Sequence, residues 1–141
     1  APEAKAADVA IGIENVWNRF LLSPLETRRF LDEIGSDYVG MYLDVGNAVY
    51  IGYPEQWIEI LGHRIKKLHM SDYRFDQAGI GAFVDLFAGD VDFPAVAKAI
   101  AGIGYDDYIT LEMLPNYKQF PEVSLYADKF AMNKIIEMIH L

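Results

Sequence analysis

Four side chains in this sequence have the chemistry of metal ligands and occupy equivalent places. Glu14, Asp44, His69 and Glu112 each close a short, mainly apolar run: Val9-Ala10-Ile11-Gly12-Ile13, Val39-Gly40-Met41-Tyr42-Leu43, Ile65-Lys66-Lys67-Leu68 and Tyr108-Ile109-Thr110-Leu111. Together they offer three carboxylates and one imidazole nitrogen. That set suits one divalent cation of the Mn, Mg, Co or Zn kind and disfavours sulfur-loving metals. Taken singly, each residue reads equally well as a helix cap or a solvated strand end. Four runs out of four closing in this way is the pattern a shared centre would leave.

Such residues can meet only if the elements between them bring the run ends to one place. Helix-like segments separate the runs. Ser23-Pro24-Leu25-Glu26 offers an N-cap hydroxyl, a proline at the first helical position and a glutamate that can reach back to the N–H of the cap. Leu25, Phe30, Leu31 and Ile34 then share a face, and Gly35 supplies the left-handed stop. After Asp44 the sequence predicts a loop, then a helix opening at Pro54 that buries Trp57, Ile58 and Leu61. The longest connection, residues 71–91, carries Gly79, Gly81, Gly89 and several aspartates, and connections of that length in compact domains are functional or mobile. Asp92 caps the next helix, whose inner face is Val96, Ala97 and Ile100, and Pro121 opens a long last helix. The pattern is α/β, a (βα)₄ array of parallel strands joined by right-handed crossovers. In that arrangement all C-terminal strand ends lie on one rim, which is where α/β proteins place their sites.

The third run poses a question of register. Side chains alternate along a strand, so Lys67 shares a face with His69, where the other runs have Gly12, Tyr42 and Thr110. Either Lys67 meets an acid in the interior, or a bulge shifts the strand, or His69 points elsewhere.

Composition narrows the function. The 141 residues suffice for a single domain, spanning 1–141, with one core. A net charge of −9 and a pI near 4.6 disfavour nucleic acid and anionic membrane surfaces as partners. The lack of cysteine excludes disulfides, thiolate nucleophiles and Cys-ligated zinc, and fits a cytoplasmic location. No apolar run approaches the roughly 18 residues of a membrane span. Gly79-Ile80-Gly81 and Gly102-Ile103-Gly104 lack the strand-turn-helix setting of a dinucleotide loop. His63 and His140 read as surface residues. Trp17 and Tyr50 read as packing residues that could also wall a small bound molecule.

Five segments in order resemble a known family: Ile13-Glu14-Asn15, Tyr42-Leu43-Asp44-Val45-Gly46-Asn47, Leu68-His69-Met70-Ser71-Asp72, Gly89-Asp90-Val91-Asp92-Phe93 and Thr110-Leu111-Glu112-Met113. Their ligand-type residues are 30, 25 and 43 positions apart. They look like the signatures of the sugar phosphate isomerase/epimerase group of xylose isomerase-like TIM barrels, which includes ketose and pentulose-phosphate 3-epimerases. The resemblance implies a divalent metal held by Glu14, Asp44, His69 and Glu112. It also implies that Glu14 and Glu112 are the catalytic pair, moving a proton at the carbon beside the carbonyl of a small sugar or sugar phosphate through an enediolate. Asn47 stands where some ketose epimerases of the group carry a substrate-contacting histidine. Arg74, in the loop after His69, is open to two readings, a contact to a substrate hydroxyl or phosphate, and a solvated charge.

Length sets the chain apart from the family. A complete (β/α)₈ barrel needs about 250 residues, so the expected fold is the C-terminal half of a TIM barrel with two unpaired parallel edges and an uncovered apolar surface. The expectation is a fragment of a longer enzyme, a half that associates with a second copy, or a half completed by an N-terminal half on another chain. Two other functions stand beside the isomerase. One is a metal-dependent phosphodiesterase like endonuclease IV, disfavoured by the acidic charge and the scarcity of histidine. The other is a non-catalytic half-barrel acting as an assembly module.

Overall fold

Alternation along the strands divides the sheet into two unlike faces, and that division places the site. In the computed structural model, which describes residues 1–114 and 116–141, β1 (Ile11–Glu14), β2 (Val39–Asp44), β3 (Ile65–Met70) and β6 (Ile109–Leu111) form one parallel sheet in the order β1-β2-β3-β6. Met41, Leu43, Leu68 and Met70 point to one face and are fully buried. They pack there with Leu31 of α2 (Pro24–Ile34), Ile58 and Leu61 of α4 (Pro54–Leu61), Val96 and Ile100 of α5 (Phe93–Gly102), and Ile135 of α6 (Glu122–Ile139). Each such side chain contributes about 1.5–3 kcal/mol by leaving water. The alternate residues, Gly12, Glu14, Tyr42, Asp44, Lys67, His69 and Thr110, face the other way.

The expected helix stops are where the chemistry puts them. Ser23 Oγ accepts the Leu25 N–H at 3.3 Å, and Gly35 takes the left-handed conformation with φ of 60°. Glu26 reaches back one residue further than expected, its Oε2 accepting the N–H of Leu22 at 3.2 Å. Asp92 Oδ1 accepts the Ala95 N–H at 3.0 Å and starts α5.

Three elements depart from the sequence reading. A short helix, α1 (Pro2–Ala7), precedes β1. The expected loop after Asp44 is instead a helix, α3 (Val45–Ile51), which begins directly on β2 because Asp44 serves as its N-cap. The long connection is ordered around a two-stranded antiparallel ribbon, β4 (Asp72–Tyr73) with β5 (Phe83–Val84). Its organiser is the fully buried Asp72 carboxylate, which accepts the N–H groups of Tyr73, Gly89 and Val91 at 2.9, 2.8 and 3.2 Å. Gly89 is required at this point, since a Cβ there would overlap Asp72 Oδ1 and stand 2.7 Å from the Tyr73 carbonyl oxygen. From the far side, the buried Asp128 of α6 accepts the Leu86 N–H at 2.7 Å.

The question at Lys67 has a double answer. Pairing runs Met41 with Ile65 and then Tyr42 with Lys67, so Lys66 is the extra residue of a bulge. Gly40 makes room for it, because a Cβ there would stand 2.5 Å from both the Arg64 carbonyl oxygen and Lys66 Cγ. Lys67 keeps the face of His69 and meets an acid, but a partly exposed one: its Nζ lies 2.6 Å from Asp107 Oδ1 in the loop before β6. No described helix is long and apolar enough to cross a membrane.

Candidate metal centre

Each of the four ligand-type residues is delivered by a strand end. Glu14 is the last residue of β1, Asp44 the last of β2, His69 the penultimate residue of β3, and Glu112 the first after β6, fixed by its N–H bond to the Met70 carbonyl at 2.9 Å. In a flat sheet β1 and β6 would lie about 14 Å apart, three strand spacings. Here one ligand atom from each of the four residues falls within 4.8 Å of all the others. The sheet is therefore rolled toward this face.

His69 Nδ1 sits between the two glutamates, 3.1 Å from Glu14 Oε1 and 2.8 Å from Glu112 Oε2. Its ring is held by Tyr42, whose ring centroid is 3.9 Å away and whose hydroxyl bonds Thr110 Oγ1 at 2.9 Å. Asp44 is 1% exposed. Burial pushes its carboxyl up to about 8; the Asn47 N–H and the Ser71 hydroxyl pull the other way, and neighbouring Glu112 adds to the rise. Three carboxylates around one imidazole, with one of them desolvated, form a site short of positive charge.

The residues fit a divalent ion. Ligands on opposite sides of an ion bonded at about 2.0–2.2 Å are up to about 4.4 Å apart, within a few tenths of an ångström of the span seen here. The donor types are those of a hard or borderline dication. Among the described residues this is the one cluster of its kind.

Around these donors lies a cavity of about 230 Å³, with Glu14, Asp44, Asn47 and Glu112 on its polar side and Val16, Phe83, Val84 and Leu114 among its apolar walls. It is smaller than the roughly 300–1,000 Å³ of drug-sized pockets and suits a small molecule. Asn47, singled out from the sequence, does line it. Arg74 does not: Asp76 holds its guanidinium through Nε at 3.0 Å and Nη2 at 2.6 Å. Trp17 and Tyr50 pack on each other at 4.7 Å between centroids, and Trp17 stacks at 5.4 Å on Phe83, so they back the wall rather than line the cavity. His63 and His140 are exposed.

Sequence reasoning missed the residues that hold Asp44 in place. Asn15 clasps its main chain, with Nδ2 donating to the Asp44 carbonyl at 2.9 Å and Oδ1 accepting the Asp44 N–H at 2.8 Å. Ser71 Oγ lies 3.0 Å from each carboxylate oxygen. The signal available was adjacency, since Asn15 directly follows a ligand-type residue and Ser71 stands two residues beyond His69.

Residues 1–132 match the sequence family described as xylose isomerase-like TIM barrel. No curated protein matches the chain. Among solved structures, an IOLI protein with a zinc atom superposes with a TM-score of 0.78 at 18% identity, over 95% of this chain and 53% of its own. A D-tagatose 3-epimerase-like protein gives 0.78 at 22% identity, over 97% and 50%. An L-ribulose 3-epimerase gives 0.74 at 20% identity, over 99% and 51%. The chain thus spans about half the length of the solved structures it matches, and at these identities the likeness establishes the fold, a parallel (βα)₄ half of a barrel. With the family matched across almost its whole length, the chain belongs to the xylose isomerase-like TIM barrel family.

Proposed function

We propose that Glu14, Asp44, His69 and Glu112 hold one divalent cation, and that the complete barrel is an isomerase or epimerase of a ketose or ketose phosphate. The observation that carries this reading is the convergence of the four donors from four separate strands. The likeness in fold to a D-tagatose 3-epimerase-like protein and an L-ribulose 3-epimerase supports the substrate class.

A bound dication supplies Lewis-acid polarisation of a substrate carbonyl, which acidifies the neighbouring C–H. The chain's own residues do the rest. Glu14 and Glu112 come from the two outermost strands and stand on either side of His69 Nδ1, so their carboxylates flank whatever occupies the cavity. One removes the proton from the carbon beside the carbonyl, and the other returns a proton on the opposite face. Asn47, on the cavity wall, orients a substrate hydroxyl. Phe83 and Val84 keep water from the apolar side. Arg74 stands outside the cavity wall, its guanidinium paired with Asp76.

The reading includes the rest of the barrel. Both sheet edges, β1 and β6, lack a further strand among the described residues. Ile11 and Tyr108 beside those edges are exposed, as are Leu125, Tyr126 and Phe130 on α6. Four more βα units, from an N-terminal half or from a second copy of this chain, would cover these surfaces and close the remaining side of the cavity.

The test is hydrogen exchange. The full-length protein loaded with Mn²⁺ is incubated in D₂O with ketopentoses and ketohexoses, free and phosphorylated, and deuterium at the carbon beside the carbonyl is followed by NMR. Deuterium incorporation is expected, with Glu112→Gln and Glu14→Gln each slowing it by about 10²–10⁴-fold. A metal-loaded protein that exchanges no ketose hydrogen refutes the assignment.

A further inference from the structure

One buried hydroxyl beside the site has no role in the chemistry above. Ser71 is 2% exposed and lies one residue beyond β3. Its Oγ accepts the Gly46 N–H at 3.1 Å, which leaves its single proton for the Asp44 carboxylate, 3.0 Å from both oxygens. We propose that Ser71 is a positioning residue for the cation site, its hydroxyl fixing the rotation of the Asp44 carboxylate so that one oxygen is presented to the ion. The inference rests on the metal reading given above.

The division of labour around Asp44 supports it. Asn15 clasps the Asp44 main chain from the β1 side through two hydrogen bonds, so the residue's position does not depend on Ser71. The Asn47 N–H bonds Oδ1 alone. The Asn47 N–H anchors one oxygen, and the Ser71 hydroxyl, within reach of both, is the second contact that holds the carboxylate plane. The sequence also carries the mark of this contact. A Cβ at Gly46 would overlap Ser71 Oγ, so the glycine in Asp44-Val45-Gly46-Asn47 keeps open the space the hydroxyl needs. Partners one step behind metal ligands govern affinity by restricting ligand orientation, and removing one weakens binding by about 10–100-fold.

The experiment is calorimetric titration of Mn²⁺ into the full-length protein and its variants, with thermal melting in excess chelator to report the fold. Ser71→Ala is expected to bind Mn²⁺ about 10–100-fold more weakly than wild type while melting cooperatively without metal. Gly46→Ala, which keeps the hydroxyl in the chain but pushes it aside, is expected to weaken binding too. The double variant should bind no more weakly than the weaker single variant. If Ser71→Ala does not fold, Gly46→Ala decides the matter by the same criterion. A folded variant that binds Mn²⁺ with wild-type affinity overturns the role of Ser71 and leaves the metal site standing. A wild-type protein that binds no divalent ion overturns both.

Discussion

Replacing Gly89 by alanine tests whether the ribbon over the cavity is organised by Asp72. The added methyl would overlap Asp72 Oδ1 and stand 2.5 Å from Asp72 Cγ and 2.7 Å from the Tyr73 carbonyl oxygen, where ordinary contact begins near 3.4 Å. Neither neighbour can yield cheaply. The carboxylate is fully buried and accepts three backbone N–H groups, and the Tyr73 carbonyl accepts the Asp90 N–H at 2.8 Å. Forcing a methyl into a packed site costs about 1–3 kcal/mol. Losing even one hydrogen bond to a buried charged acceptor adds about 1.5–3 kcal/mol. Together they destabilise by about 2.5–6 kcal/mol. It is read by urea unfolding of the full-length protein, with Gly81→Ala as the control, since a Cβ at Gly81 meets nothing within 4 Å. Gly81→Ala should stay within about 0.5 kcal/mol of wild type. Because β5 carries Phe83 and Val84 of the cavity wall, Gly89→Ala should also raise KM in the proposed reaction. A Gly89→Ala protein within about 1 kcal/mol of wild type would refute this account of the long connection.

Two further outcomes follow from the site and from α6. Metal at one hundred times its dissociation constant should stabilise the protein by about 2.7 kcal/mol, seen as a higher melting temperature than in chelator, and Asp44→Asn should abolish that difference. Burial raises the Asp128 carboxyl above its ordinary value, so the folded chain holds that proton more tightly than the unfolded one. Its contribution to stability is therefore full below the ordinary carboxylate range and is lost as pH rises through the folded value. Asp128→Asn keeps an acceptor for the Leu86 N–H and removes this dependence, so its urea midpoint should fall less between about pH 4 and pH 7 than that of wild type.

The parts of the fold legible in the sequence were those whose cause is local. Apolar runs closed by an acid or histidine announced the four parallel strands, and Ser23, Pro24, Gly35 and Asp92 announced helix ends through their own backbone chemistry. The four ligand-type residues could be named because a strand's end is fixed by its own run. Where the cause was tertiary, the sequence was silent. Helix α3 contains Val45, Val49 and Ile51, β-branched residues that disfavour helix, and the Asp44 cap and packing override them. The β4–β5 ribbon exists because a buried carboxylate gathers N–H groups from up to 19 residues away. Arg74 was an open choice because its partner Asp76, though only two residues distant, leaves no pattern that distinguishes a paired guanidinium from one aimed at a ligand. The roles of Asn15 and Ser71 depend on how β1, β2 and β3 sit beside one another, which no single segment encodes.

The four ligand-type residues come from the first and last strands of the sheet as well as the two between them. On the proposed reading, an ion gripped by all four would act as a caliper across the whole arc, setting how tightly the strands coil and hence the gap that any remaining staves must bridge. Affinity for the ion would then gauge barrel closure: a chain whose sheet relaxed toward flatness would part Glu14 from Glu112 and let the ion go, so that ion binding and assembly of the barrel would rise and fall as one.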